Sequence, residues 1–574
     1  MKTSPTNILF INLKRYGDIF NMAHTIKAYK QDNPESKISV LVFKEFVKAA
    51  NAINHIDEVF TIDREQILTF KKNQIFSDGL ALNLFENEIH QLKRDTHWDI
   101  VFNYSNDCVS THITSLLKEH STKHMGIRFN SYCNVEYSNE WALLFNDVLT
   151  DLKYSPVSFV DTYNQIATTE LKDEGIPLKT KEEYNKTTHL NFSEIRRMEE
   201  GECEIKIIGV QVSASSNYKM IPRSELIALI DELYMTPEYF PVLLGAPTER
   251  DREIINDINS EFNNSLVSIE ADFIALSSVL LNLDALVTPD TSVKHVADLL
   301  KVPTVEISLG ESPLFKQGTM NLKSVIVTPH ISLRSFKKKE VEGSRELKDL
   351  NYKIKYTDII SALQYIMGEI SDFSNEKISH DVTIYQPHTD GIGRYLMPIA
   401  GDFNEKIELE RLCARALIHY KTTNKDDLTL LDKISTFDSS LLSNWIEHQK
   451  NAITDTSRDL LATLRGIIQL TNEKSSINNF LQALAVLFER CDDASDFIKI
   501  PAIRFRSRLE ALNTSDLSAS AKEVEGLLYE YKSDIQFQVE VIKTLQERMR
   551  KNTTTRTRNT SRPGAHDGTI ARGL

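Results

Sequence analysis

Cysteine is scarce and scattered. Cys108, Cys133, Cys203, Cys413 and Cys491 are the five in 574 residues, and none forms a CxxC or other paired spacing. That argues against a zinc module and a disulfide scaffold, leaving reduced thiols in the core or on the surface. Long apolar runs are also missing: no stretch reaches the about 20 residues that a spanning helix needs. The opening MKTSPTNILFINLKRYGDIF has one short apolar run and then charges. It lacks the long apolar stretch and small-residue cleavage site of a secretory signal. Excess positive charge is absent as well. The balance of 67 Lys+Arg against 81 Asp+Glu gives −14, a poor basis for sequence-independent binding to a nucleic-acid backbone. No repeat recurs at a fixed period. These absences lead to an expectation of a soluble, cytoplasmic, multidomain chain.

A hydrophobic content of 41% supplies an ordinary core, and the length corresponds to about three or four domains. Over the first 370 residues, strand-like and helix-like segments alternate. Asn7–Leu13, Lys37–Phe43, Glu58–Ile62 and Asp99–Tyr104 read as buried strands, and residues 129–185 are less regular. A second series opens near Glu204 with strands at Ile205–Val212, Tyr239–Leu244, Ser265–Ile269, Ala285–Thr288, Thr304–Ile307 and Ser324–Val327. Such alternation implies βαβ units and parallel sheets. The predicted fold is therefore α/β: two Rossmann-like domains facing a cleft, over 1–190 and 200–372. A linker with one possible strand follows over 373–403. An α-helical domain is predicted over 404–550, with Leu441–Ala452 and Ser457–Leu470 as separate helices. A disordered basic tail over 551–574 is expected to be solvated or to touch an anionic surface.

Four segments, each where a strand gives way to a loop or helix, can carry chemistry. In Lys14-Arg15-Tyr16-Gly17-Asp18, Gly17 allows a sharp turn. Asp18 then reads either as a helix cap or as a general base taking a proton from a hydroxyl. Ser213-Ala214-Ser215-Ser216-Asn217-Tyr218-Lys219 reads either as a polar loop or as a phosphate cradle with Lys219 as its point charge. In Gly245-Ala246-Pro247-Thr248-Glu249-Arg250, Glu249 suits a helix start and equally a ribose contact at a strand end. Asp290-Thr291-Ser292-Val293-Lys294-His295 places backbone N–H groups at a helix N-terminus, where an anion such as a diphosphate can sit. Thr291 and Ser292 are further donors there, and His295 lies about one turn in.

In order and spacing, these four segments resemble glycosyltransferase family 9, the heptosyltransferases of lipopolysaccharide core assembly. ILFINLKRYGDIFNMA stands for the family's opening ILxIRxxxxGD pattern, SASSNYKMIP for its small-residue loop ending in Lys, GAPTER for G-x-x-x-E-R, and DTSVKHVADLLKVPTV for D-[ST]-G-x-x-H followed by G-V-P-T-V. The resemblance covers about residues 7–370. It departs at Ser292 and Lys301, where the family has glycine, and at Ala23, near where the family has proline.

The resemblance implies a GT-B architecture and an inverting, metal-independent transfer of a sugar, by default heptose, from a nucleoside-diphosphate sugar such as ADP-heptose. No cofactor and no metal are implied. Asp18 is the implied catalytic base. Ser213, Lys219, Glu249, Asp290, Thr291, Ser292 and His295 are the implied donor contacts. Lys14, Arg15 and Gly17 are acceptor-side candidates. The acceptor would be a lipopolysaccharide core, another surface glycan, a glycolipid or a protein, which adds a peripheral contact at the inner face of the membrane to the expected partners. The departures at Ser292 and Lys301 motivate an alternative, a non-catalytic scaffold on a degenerate glycosyltransferase fold. A nucleotide-sugar epimerase on the same architecture is a third reading.

Overall fold

The computed structural model describes residues 5–72, 78–94, 97–119, 122–152, 154–169, 174–198, 204–310, 313–333, 353–425, 427–472, 477–492, 494–512 and 517–560. The chain divides into two compact units, Met1–Asn404 and Glu405–Leu574.

The first unit holds two parallel sheets. In one, β1 (Asn7–Ile11), β2 (Lys37–Phe43), β3 (Glu58–Ile62), β4 (Ile100–Asn103) and β5 (Lys123–Met125) lie in the order β3-β2-β1-β4-β5. Ile8 pairs with Ile38 on one side and Ile100 on the other. Both faces of β1 are buried, as a near-continuous apolar run requires. A short antiparallel hairpin, β6 (Ile127–Phe129) with β7 (Val135–Tyr137), stands in the stretch that reads as irregular.

The second sheet contains β8 (Lys206–Gln211), β9 (Tyr239–Gly245), β10 (Val267–Glu270), β11 (Ala285–Pro289), β12 (Thr304–Ile307), β13 (Val325–Pro329), β14 (Val382–Asp390) and β15 (Gly393–Gly401). Their order is β10-β9-β8-β11-β12-β13-β14-β15. The strand order reverses between β1 and β4 in one sheet and between β8 and β11 in the other. Doubly wound sheets bind ligands beyond the strand ends at such switch points, and three of the four motifs begin just after β1, β8 and β11. The core of this sheet includes Ile208, Val210, Leu229, Val287, Val305, Val325 and Ile359, all fully buried. Each such side chain contributes roughly 1.5–3 kcal/mol on leaving water.

Several expectations are corrected. Residues 373–403 are not a linker with one strand. They carry the β14–β15 hairpin, which extends the second sheet antiparallel to β13, with Ile326 opposite Tyr385. The break expected between 190 and 200 falls within a continuous helix, Glu182–Met198. In the second unit the long helices are Glu405–Thr423, Ser439–Thr471, Ile477–Asp492, Asp496–Glu510 and Leu517–Thr560. Leu441–Ala452 and Ser457–Leu470 are thus one helix, because Thr454–Thr456 adds no Gly or Pro to break it. Helix also continues through 551–560, where disorder is expected from the sequence. Cys203 and residues 561–574 lie outside the described residues. Among the described residues, no helix is long and apolar enough to cross a membrane.

The hairpin does more than widen the sheet. At its turn Gly393 has φ +127, and a Cβ there would lie 2.3 Å from Cγ of Asp161. Arg394 N donates to Asp161 Oδ2 at 2.7 Å. Asp161 belongs to the helix Phe159–Ala167 of the N-terminal half, so the hairpin fastens one half of the unit to the other. At its base Tyr385 packs edge-on against Phe315, with ring centroids 5.5 Å apart. Gly393→Ala combines a left-handed φ with a clash against the Asp161 carboxylate and is expected to destabilise this unit by about 2–3 kcal/mol, read as a fall in its urea midpoint.

Candidate active site

After β1 the chain turns through Asn12–Arg15 into the helix Tyr16–Asn21. The loop is held from below. Asn12 Nδ2 donates to Asp18 O at 3.1 Å, Lys14 N donates to Asn12 Oδ1 at 3.2 Å, and Leu13 N donates to Ser105 Oγ at 2.6 Å. Asp18 is the third residue of the helix, not its cap, yet its Oδ2 accepts from Arg15 N at 3.3 Å. Its side chain is buried. Burial raises the Asp18 carboxyl above its ordinary value, against the opposing pull of the Arg15 N–H and the charges of Lys14 and Arg15. Lys14 is half-buried and Arg15 exposed.

On the other sheet, Ser213 follows β8 and gives its hydroxyl hydrogen to Asp251 Oδ2 at 2.8 Å. The same oxygen accepts from Ala246 N at 2.7 Å, which joins the loop after β8 to the loop after β9. Arg250 braces this junction from outside, donating to Ala214 O and Asn217 Oδ1 at 2.9 Å each. Glu249, the first residue of the helix Glu249–Glu261, is exposed. Lys219 is buried, with Nζ 3.7 Å from Asp290 Oδ2.

The turn after β11 leads into the helix Ser292–Leu300, with Thr291 as its cap accepting from Val293 N at 3.3 Å. Thr291 Oγ1 donates to Gln211 Oε1 at 2.8 Å, tying this turn to the end of β8. Lys301 closes the helix at φ +62. The backbone there is left-handed, so the residue tolerates a conformation that glycine adopts without steric cost.

The two halves meet at this turn. A Cβ on Gly17 would lie 2.5 Å from Nε2 of His295, so only glycine admits the ring. His295 is buried, and burial, reinforced by Lys294, lowers its pKa well below the usual histidine range. The imidazole is therefore neutral. Its Nδ1 stands 3.0 Å from Asn21 Oδ1, an acceptor, so Nδ1 carries the hydrogen and Nε2 a lone pair. Tyr16 and Phe20 pack on Phe273, with centroids 5.2 and 5.0 Å apart.

Lys294 has no exposed surface. Its Nζ lies 3.4 Å from Asp290 Oδ1 and 3.7 Å from Glu306 Oε2, and it donates to the carbonyl of Gln317. Burial pulls its pKa down, but Glu306, Asp290 and Asp298 outweigh burial and hold it above the ordinary lysine value. Gln317 in turn donates from Nε2 to Asp18 Oδ1 at 2.8 Å.

The structure thus brings Asp18, Gly17, Asp290, Thr291, His295 and Lys219 into one connected set. Ser292 opens the helix in the same turn, and Ser213 joins the neighbouring loop. Glu249 and Arg15 stand on the surface and Lys14 at its edge. Sequence reasoning missed Asn21, Gln211, Asp251, Glu306 and Gln317. Asp251 had a signal, an acid in the first turn of a helix after a strand-end glycine; the others had none. One described group could hold a metal ion, His380 with Asp381 and Asp402. It belongs to none of the four motifs, and Asp381 is already paired with Lys353 at 2.8 Å.

Residues 90–344 match the model of glycosyltransferase family 9 (heptosyltransferase). Among solved structures, the chain is similar to a family 9 glycosyltransferase from Veillonella parvula, at 18% identity and TM-score 0.49 over 64% of this chain and 99% of that one. It is also similar to the ADP-heptose lps heptosyltransferase II of E. coli, at 16% identity and TM-score 0.43 over 63% and 99%. A UDP-GlcNAc 2-epimerase from Neisseria meningitidis follows at 13% identity and TM-score 0.32 over 63% and 93%. No curated protein matches.

The raised carboxyl of Asp18 has a consequence for stability. A folded-state value above the unfolded one means that the folded state holds the proton more tightly. The ionised form therefore costs stability, by an amount that is absent below the unfolded value of 3.8, grows as pH rises to the folded value and is constant above it. Asp18→Asn removes that cost and keeps an acceptor for Gln317. It is expected to stabilise the unit by about 1 kcal/mol at pH 7.5, with a smaller gain at pH 4.5, as measured by thermal unfolding.

Proposed function

We propose that the chain, whose residues 90–344 match the glycosyltransferase family 9 model, moves a sugar from a nucleoside-diphosphate donor to an acceptor hydroxyl, with inversion and without a metal or cofactor. The family-matched stretch begins after Asp18. The observation that carries the base assignment is therefore geometric: a buried carboxylate after β1 is held by Gln317 of the second half, and the neighbouring Gly17 lies against His295 of the turn after β11.

In this reading the donor diphosphate lies at the N-terminus of Ser292–Leu300, whose first-turn N–H groups and dipole favour negative charge. Lys219, held by Asp290, faces the same turn and offsets charge developing on the leaving diphosphate. Thr291, Ser292 and Ser213 line the turn and the adjoining loop as polar partners. Neutral His295 is an acceptor at Nε2 and suits a donor hydroxyl better than a phosphate oxygen. Glu249, exposed at a strand end, is placed for ribose hydroxyls. Asp18 takes the proton from the attacking hydroxyl; its raised pKa makes it a stronger base than a free aspartate. Gly17, Lys14 and Arg15 form the acceptor side. ADP-heptose is the proposed donor and a glycan, glycolipid or protein the acceptor, with the reaction at the cytoplasmic side of the membrane.

A thermal-shift series with ADP, UDP, GDP and ADP-heptose tests the donor. A ligand at 100 times its Kd stabilises the native state by about 2.7 kcal/mol. ADP and ADP-heptose are expected to raise the unfolding temperature, and no shift with any nucleotide would favour a non-catalytic scaffold. Asp18→Ala is expected to keep the ADP shift and lose transfer by about 10²–10⁴-fold. Lys219→Ala is expected to weaken ADP binding by about ten-fold or more, through loss of one charge-assisted contact.

A further inference from the structure

Among the described residues, the segment between β12 and β13 reaches Asp18 from the second half with a hydrogen-bonding side chain. Its short helix, Leu314–Gln317, is anchored on every side. Leu314 and Phe315 are buried, and Phe315 packs on Tyr385 of the hairpin. Lys316 Nζ donates to Thr150 O at 3.3 Å. Thr319 N donates to Glu306 Oε2 at 2.6 Å, Met320 N donates to Asp298 Oδ2 at 3.2 Å, and the Thr319 hydroxyl also binds Asp298. The carbonyl of Gln317 accepts from Lys294, and its amide donates to Asp18 Oδ1 at 2.8 Å.

We infer that Gln317 is the positioning residue for Asp18, aiming the carboxylate from the donor side of the site. Resting on the reading of Asp18 as the base, this adds to it a residue of the other half. With Oδ1 held by the Gln317 amide and Oδ2 by the longer Arg15 N–H bond, Oδ2 is the more loosely held oxygen and the one left for the acceptor proton. Because Gln317 is itself fixed through its carbonyl by Lys294, which also holds Asp290, the base and the donor turn share one anchor. A shift of the donor turn would move the base with it. That arrangement suits a reaction in which a misplaced base by about 1 Å loses much of its effect.

The charged and titratable groups facing Asp18 are few: Lys14 and Arg15 on its own segment, Tyr163 from the helix Phe159–Ala167, and His295 beside Gly17. None replaces the amide donor. A hydrogen bond to the ionised form favours that form, so its loss must raise the carboxyl further.

Two variants test the inference. Gln317→Met keeps the length and removes the donor. Gln317→Glu keeps the shape and offers a second carboxyl. Infrared titration of protein labelled with ¹³C-aspartate, with Asp18→Asn as the subtraction control, follows the Asp18 carboxyl directly and needs no substrate. The midpoint is expected to rise in Gln317→Met and to rise further in Gln317→Glu, where like charges repel. In steady-state assays of nucleoside diphosphate released from ADP-heptose, kcat is expected to fall about ten-fold in Gln317→Met. The acid limb is expected to move up, with KM for the donor unchanged within about two-fold. Folding is checked by the retained thermal shift with ADP. An unmoved Asp18 midpoint in both folded variants overturns the inference, and so does a fall in kcat with no movement of the acid limb, which marks a merely structural role. If Asp18→Ala keeps full transfer, the base assignment itself fails. If Asp18→Ala is inactive while Gln317→Met behaves as wild type, only the positioning role fails.

Discussion

A lysine with no exposed surface orders the centre of the first unit. An ammonium removed from water is tolerated only when carboxylates and hydrogen-bond acceptors surround it, and Lys294 satisfies this with Asp290, Glu306 and the Gln317 carbonyl. These three come from the turn after β11, from β12 and from the segment before β13. The charge therefore dictates that these three pieces converge. Removing one partner of such a cluster characteristically costs about 3–5 kcal/mol, which makes the convergence a condition of folding. The same convergence holds the turn after β11 in place.

The cluster also has to balance its charge. Asp290, Asp298 and Glu306 face Lys294, with Lys219 beyond Asp290. Burial raises Glu306 and Asp298. Lys294 pulls both back towards the ionised form, so the lysine and its acids hold one another's charge. Lys219 is held beside Asp290, 3.7 Å from its Oδ2. A diphosphate bound as proposed would meet a charge already positioned, which is the condition under which electrostatic stabilisation is strongest.

Much of this was legible in the sequence wherever the information is local. The strand ends after β1, β8, β9 and β11 carry Gly17-Asp18, Ser213 to Lys219, Glu249 and Asp290 to His295, and strand-to-helix turns of this composition announce themselves by residue type and period. The contacts that turn these motifs into one site were not legible, because they span the chain: Gln317 meets Asp18 across 299 residues and His295 meets Asn21 across 274. Gln317 sits in LFKQGT, a segment with no motif and no periodicity. The hairpin was read as a linker because His388–Gly393 is rich in turn residues. Only Gly391 and Ile392 make the turn; His388–Asp390 end β14 and Gly393 opens β15, and these strands alternate too weakly to stand out beside the helical region that follows. The long helix Ser439–Thr471 was split because its Thr- and Asp-rich middle resembles a break, although nothing in it removes a backbone donor or clashes with the preceding turn.

The hairpin completes the argument about why the halves stay in register. Its tip rests on Asp161 of the N-terminal half and its base packs on Phe315, two residues before Gln317. The segment that touches Asp18 is thus clamped from the Lys294 side by charge and from the Tyr385 side by aromatic packing. One clamp is polar and buried, and so intolerant of displacement. The other is apolar and defined by shape. Together they fix a single side-chain amide to within hydrogen-bonding tolerance of a carboxylate on a different sheet, a precision that neither sheet could supply from its own strands.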